Sequence, residues 1–209
     1  LGSGNMGETL KEYISKNYEL GKRDLYAAFV LRCIELAQQD GYLAMVSQQS
    51  WMFLNSYSDF RIRVIEKQEN GFKGLLQETS ITNLVHLGTN AFSEISGEVV
   101  NVVLFALRKY PPSEVHQITA FRLIGPKKPY EKANLLREAI NKKQPDIQFA
   151  PLQRDLSFLP DGVVTYWAKP IFFSLLRSKK RVKDLAKVKQ GLATGENNRF
   201  LRRFWEVPH

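Results

Sequence analysis

The sequence predicts an α/β fold in its first half, followed by a basic second half of weaker pattern. Three observations carry this. A nearly all-apolar helical run over residues 25–39 ends at Gly41 and leads straight into an apolar strand run over 42–47. Two further strand runs, at 81–87 and 99–107, are separated only by a loop. Residues 1–110 hold 11 basic and 12 acidic residues, a net of −1, whereas 111–209 hold 19 basic and 9 acidic, a net of +10.

Residues 9–17 read as a short polar helix. Asp24 is the expected N-cap of the next helix, since a carboxylate accepts from the free N–H groups of a first turn. In that helix Leu25, Ala28, Phe29, Ile34, Leu36 and Ala37 leave little polar surface before the Gln38-Gln39-Asp40-Gly41 exit, so it should pack deep against a sheet. Gly41 fits a helix stop. Residues 42–47 then form a short apolar strand of the buried, parallel type, and helix, turn and strand read as the second half of a βαβ unit. Gln48-Gln49-Ser50-Trp51 falls where α/β sheets place their ligands, at the carboxyl end of a strand. A helix is expected over 59–67. The runs at 81–87 and 99–107 are rich in β-branched residues and predict an antiparallel pair closing the sheet. Their connector, 88–98, is longer than a hairpin requires, and long loops at sheet ends tend to be functional. Arg108-Lys109-Tyr110-Pro111-Pro112 is expected to end the sheet and to divide the chain into 1–110 and 111–209. Beyond it, 130–143 reads as a basic amphipathic helix, 171–177 as a shorter helix, and 182–188 leads into a glycine-containing loop.

With 209 residues, 44% of them hydrophobic, the chain has room for one full domain and part of a second. Cys33 is the only cysteine, which excludes a disulfide framework and a cysteine-rich zinc site. No signal peptide or long apolar span is evident, which predicts a soluble, cytoplasmic protein without a membrane partner. His86, His116 and His209 lack metal-ligand spacing, so no metal is expected and no role is given to them.

From Lys169 to Arg203 there are eleven lysines and arginines against Asp184 and Glu196. Within that field lies the loop Gln190-Gly191-Leu192-Ala193-Thr194-Gly195-Glu196-Asn197-Asn198-Arg199-Phe200. Glycines allow close backbone approach, and Asn and Arg match base edges and phosphates. Nucleic acid is the partner that such a basic module attracts. Lys179, Lys180, Arg181, Lys189 and Arg199 are the candidate phosphate contacts, with Thr194, Asn197 and Asn198 as polar contacts near the DNA. Phe92, on the polar 88–98 loop, either folds back on the sheet edge or offers a face on which a base stacks. Gly2, Gly4 and Gly7 match G-x-G-x-x-G, a spacing that cradles phosphates only between a strand and a helix. No complete catalytic set of nucleophile, base and orienting acid is present.

Three stretches, Arg23-Asp24-Leu25-Tyr26-Ala27-Ala28-Phe29, Gly41 through Leu54, and Phe60-Arg61, together with the loop containing Ala91-Phe92, resemble the downstream half of adenine-specific DNA methyltransferases of the gamma amino group. Within that group the likeness is to enzymes of restriction-modification and of BREX phage defence, which also carry a stretch like 190–200. The resemblance implies a fold: the C-terminal part of a Rossmann-like S-adenosylmethionine-dependent methyltransferase sheet with an antiparallel final hairpin, then the start of an α+β target-recognition region. It implies S-adenosylmethionine as methyl donor, the N6 amine of adenine in double-stranded DNA as acceptor, and other phage-defence proteins as further partners. The target adenine is flipped out of the duplex, and Phe92 matches the phenylalanine that stacks on it. The Asn-Pro-Pro-Tyr motif of the family, which activates the amine, is absent, as is its glycine-rich cofactor motif. Leu1-Gly2-Ser3-Gly4 resembles the sequence just after Asn-Pro-Pro-Tyr, so the expectation is a fragment that does not methylate by itself. Two other readings stay open: a non-catalytic DNA-binding specificity module, and a nucleotide-binding Rossmann enzyme using Gly2, Gly4 and Gly7.

Overall fold

The computed structural model describes residues 1–63, 71–93, 100–142, 144–177 and 186–187. Helix α1 spans Glu8–Asn17 and helix α2 Leu25–Leu36. The Asp24 carboxylate accepts from the Tyr26 N–H at 3.3 Å, as the cap expectation requires. Helix α2 turns Ala27, Ala28, Val30 and Ile34 inward but leaves Phe29 and Leu36 exposed. It ends at Leu36, three residues short of the expected stop. Positive φ falls on Asp40 (68°) rather than on Gly41. Gly41 is required for another reason: a Cβ there would meet the Gln38 carbonyl oxygen at 2.9 Å.

Strand β1, Tyr42–Gln48, is followed by the short helices α3 (Ser50–Phe53), α4 (Ser58–Arg61) and α5 (Leu75–Glu78). The expected helix over 59–67 reduces to α4, because Ile62 returns to extended backbone; residues 64–67 lie outside those described. Strands β2 (Ser80–Gly88) and β3 (Val102–Arg108) form the expected antiparallel pair. Strand β3 also pairs antiparallel with β1, from Tyr42↔Arg108 to Gln48↔Val102. It therefore runs back between two strands that are parallel to each other.

That insertion overturns the reading of 42–47 as a buried strand of parallel type. Among the described residues β1 pairs only with β3. Its side chains alternate, with Leu43 and Met45 against the core and Tyr42 and Val46 more than half exposed. The sheet also continues past the Arg108–Pro112 stretch expected to end it. Strand β4, Thr119–Arg122, pairs parallel with residues 83–86 of β2, and β5, Gln148–Phe149, pairs antiparallel with β4. The order is β1-β3-β2-β4-β5. At four and two residues, β4 and β5 are too short to show a period of two in the sequence.

Strand alternation puts successive side chains on opposite faces and so divides the core in two. One face carries Leu84, Val103, Phe105 and Leu107 against Trp51, Met52, Phe60, Leu75 and Leu76, with α2 in the same cluster. The other carries Val85, Leu87, Phe121 and Leu123 against Leu135, Leu136 and Ala139 of helix α6, Pro129–Asn141. The predicted helix at 130–143 is α6, started by Pro129 and by Glu131, whose carboxylate accepts from the Lys128 N–H. Helices α7 (Gln153–Ser157) and α8 (Pro170–Arg177) follow. No helix among the described residues is long and apolar enough to cross a membrane.

Two fully buried polar side chains hold the helical layer to the sheet. Arg61 donates from Nη1 to the Trp51 and Leu54 carbonyls, both at 2.8 Å, and from Nε to the Asp161 carbonyl at 3.0 Å. Gln153 accepts from the Ile81 N–H at 2.7 Å and donates to the carbonyls of Leu76 and Thr79. Both satisfy backbone groups in irregular segments, which would otherwise be buried without partners. Arg61→Met keeps most of the volume and strands three carbonyls. Chemical denaturation should show a loss of roughly 2–4 kcal/mol in stability, and a loss below 0.5 kcal/mol would contradict the role given to Arg61.

Candidate functional site

Because β1, β2 and β4 run in one direction, their carboxyl ends share one edge of the sheet, and the connector from β2 to β3 lies there too. The Gln49 N–H donates to the Asn101 carbonyl at 2.9 Å, joining the exit of β1 to the entry of β3. The Gln49 side-chain oxygen is hydrogen-bonded to His86 Nε2, and His86 Nδ1 lies 2.9 Å from the Tyr166 hydroxyl. An amide oxygen only accepts, so Nε2 carries the imidazole proton and Nδ1 accepts from the tyrosine. Around this chain stand Phe53, 6.0 Å from the His86 ring centre, and Trp167, 6.4 Å from it and 5.7 Å from Phe53. The Arg122 guanidinium lies over the Trp167 ring at 5.0 Å, within cation–π range.

His86 is buried, and burial together with the positive charges of Arg122 and Lys132 lowers its pKa from 6.5 to about 4. It is neutral at physiological pH. Lys132, on α6, is 2% exposed and donates to the Leu87 and Leu123 carbonyls at 2.6 and 2.7 Å; burial lowers its pKa as well. The ammonium therefore grips β2 and β4 just where both strands end.

The next residue after Leu87 is Gly88, with φ of 67°. A Cβ there would approach the Ile124 methyl to 3.0 Å, so both the backbone angle and the neighbour require glycine. Asn90 also has positive φ, 54°. The turn then carries Phe92, which is 39% exposed and belongs to neither core cluster. Ser50, predicted to lie at this edge, bonds through its hydroxyl to the Tyr26 hydroxyl at 2.8 Å, and Trp51 is fully buried.

The other candidates fare differently. Lys179, Lys180, Arg181, Lys189, Thr194, Asn197, Asn198 and Arg199 lie outside the described residues. Gly2, Gly4 and Gly7 lie in the turn that leads into α1. Gly2 bridges Asp24, Ser3–Asn5 form a 3₁₀ turn, and a Cβ on Gly4 or Gly7 would meet nothing within 4 Å. None of the three has a positive φ, so neither backbone angle nor a close neighbour requires glycine there. Sequence reasoning missed His86, Arg122, Lys132, Tyr166 and Trp167. Only His86 left a trace: a polar ring in a run of strand residues, two positions before the glycine at the site edge.

Comparison with known proteins sets these features in a lineage. Residues 1–92 match the family of Eco57I restriction-modification methylases. Almost the whole chain, 99% of it, is similar to two adenine-specific methyltransferases: PglX of Lacticaseibacillus casei (strain Zhang), 30% identical over 213 aligned positions, and BrxX of Escherichia coli O9:H4 (strain HS), 32% identical over 208. The chain spans 16% of the length of each. Among solved structures, a modification subunit of a putative type I restriction enzyme from Vibrio vulnificus YJ016 aligns with 66% of this chain and 31% of its own, at 15% identity and a TM-score of 0.45. The chain is thus a segment whose relatives are the adenine-specific methyltransferases expected from Arg23–Phe29, 41–54, Phe60-Arg61 and the Phe92 loop.

The buried imidazole gives a pH dependence with a definite sign. A histidine whose folded-state pKa lies below its unfolded value contributes stability that is fully present above about 6.5 and declines as the pH falls toward about 4. Melting temperatures measured from pH 7 to pH 4.5 should fall in the unmodified protein. The fall should be shallower in His86→Gln, and an equally steep fall in the variant would contradict the neutral, buried state of His86.

Proposed function

We propose that the chain is part of a site-specific DNA methyltransferase that transfers a methyl group from S-adenosylmethionine to the N6 amine of adenine in double-stranded DNA. The observation that carries this reading is the 30–32% identity over 99% of the chain to proteins named as adenine-specific methyltransferases. The names of these relatives and of the Eco57I family also support a setting in restriction-modification or BREX phage defence; we place the protein there in the cytoplasm, beside other defence proteins. No part of the donor's binding is assigned to the described residues.

Under this proposal the carboxyl edge of the sheet receives the flipped adenine, and Phe92 supplies one stacking face. A half-exposed ring on a short turn, anchored by Gly88 and by the Lys132 grip on Leu87, suits a platform that must meet a base without collapsing onto the core. The aromatic and cationic groups behind it make a stiff floor. Lys179, Lys180, Arg181, Lys189 and Arg199 remain the proposed phosphate contacts, and Thr194, Asn197 and Asn198 the polar ones near the DNA. A nucleotide-binding enzyme built on Gly2, Gly4 and Gly7 has no support in the geometry of those glycines.

Base–aromatic stacking contributes about 1–3 kcal/mol. Phe92→Ala in the full-length protein should therefore lower methylation turnover by roughly 10- to 100-fold, with duplex binding by the basic segment largely kept. Wild-type turnover in the variant would sink the stacking role.

A further inference from the structure

A second feature of the same edge is a polar cleft of about 250 Å³ between the turn at residues 19–23 and the segment 55–63. Its position follows from the fold. Helix α2 packs against β1 and joins it through a short reversing turn, so the N-terminus of α2 lies at the carboxyl end of β1. The Tyr26–Ser50 hydroxyl contact at 2.8 Å fixes this directly. Residues 19–23 immediately precede that helix end, and residues 55–63 follow α3, which leaves the same strand end. The cleft therefore opens beside the edge that carries Phe92.

Three cations line it: Lys22, Arg23 and Arg63. Lys22 pairs with Glu19 at 3.5 Å, which leaves the two guanidiniums opposite Asp59. Several other arginines of the described chain are engaged. Arg32 pairs with Glu35 and Arg154 with Glu114, Arg61 is spent on buried carbonyls, and Arg122 lies over Trp167. Among the described residues Arg23 and Arg63 form no ion pair, and Arg23 is exposed. Asn55 and Ser58 add uncharged donors to the same wall. A forked, permanently charged donor beside amide and hydroxyl groups matches a phosphodiester oxygen pair.

We propose that this cleft receives a DNA backbone phosphate on the flank of the flipped base, with Arg23 and Arg63 as its cationic ligands. The inference rests on the DNA methyltransferase reading and adds to it a contact made by the sheet's own helical layer, separate from the basic segment after residue 169. Such a contact holds the duplex while the target base leaves the stack.

Each phosphate neutralised by a protein cation contributes about −0.9 to the slope of log K against log salt for duplex DNA. Binding of a duplex oligonucleotide to the full-length protein would be titrated across salt concentration for the unmodified protein, for the double variant Arg23→Gln/Arg63→Gln, and for Arg23→Lys/Arg63→Lys. The glutamine pair should make the slope shallower by about 1 and weaken binding about equally on all sequences, at an unchanged melting temperature. The lysine pair should keep most of the slope. If the unmodified protein binds and methylates duplex DNA while the glutamine pair retains the full slope, the cleft assignment falls alone. If the unmodified protein neither binds nor methylates it, the functional reading falls and takes this inference with it.

Discussion

The structure depends on one constraint: β3 must return between β1 and β2, antiparallel to both. A strand entering between two parallel neighbours has to start at their carboxyl edge. The exit of β2 at Gly88 and the entry of β3 at Asn101 are thereby both at that edge, and Phe92 sits four residues past Gly88. The same insertion ties β1 to β2 only through β3, so the two chain segments that end at Gln49 and His86 meet across the mouth of an intervening strand. Their side-chain hydrogen bond closes that mouth. The site edge is thus a consequence of strand order, while the connector there is longer than a hairpin between adjacent antiparallel strands requires.

Such an edge exposes backbone carbonyls, and the molecule answers with buried donors. Lys132 covers the ends of β2 and β4 and Arg61 the exit of β1, while at the opposite edge Gln153 accepts from the Ile81 N–H at the entry to β2. Burying a cation is expensive unless its charge is met, and here it is met by carbonyl dipoles, with no carboxylate among the hydrogen-bond partners of Lys132 or Arg61. These groups keep their positive charge close to the edge without offering it to solvent. Burial, with the charges of Arg122 and Lys132, keeps His86 neutral, so the imidazole acts as a fixed hydrogen-bonding strut between Gln49 and Tyr166. Protonation would turn Nδ1 from acceptor to donor and reverse its hydrogen bond with Tyr166.

Local pattern made part of this legible. Asp24 announced the start of α2, and the β-branched runs at 81–87 and 99–107 announced β2 and β3, because each signal is carried by adjacent residues. The resemblance in 23–29, 41–54 and around Phe92 named the right relatives for the same reason. What escaped was non-local. The apolar run of β1 is equally consistent with two covered faces or one, and only the pairing of β3 decides which. Positive φ at Asp40 in place of Gly41 depends on how the turn docks on Lys109. Tyr166 and Trp167 reach His86 across some eighty residues of sequence, and no spacing rule connects them. Strands β4 and β5 take their conformation from pairing partners, so their own composition says little.

Under the proposed function, the edge also separates two kinds of work that a DNA-modifying surface has to perform. Its centre is aromatic and internally saturated: Phe53, His86, Tyr166 and Trp167 contact one another, and the cations behind them are consumed by carbonyls or by a ring face. A base entering there meets shape and polarizable surface, with little free charge to hold a phosphate in its place. Free guanidiniums stand to the side, in the cleft of Arg23 and Arg63. Charge attracts the backbone over a Debye length of about 10 Å, whereas stacking acts only at contact. A surface with cations at the centre would trap the phosphodiester where the base must go. With the cations displaced to the flank, backbone attraction brings the duplex to the edge and leaves the centre open to the base alone.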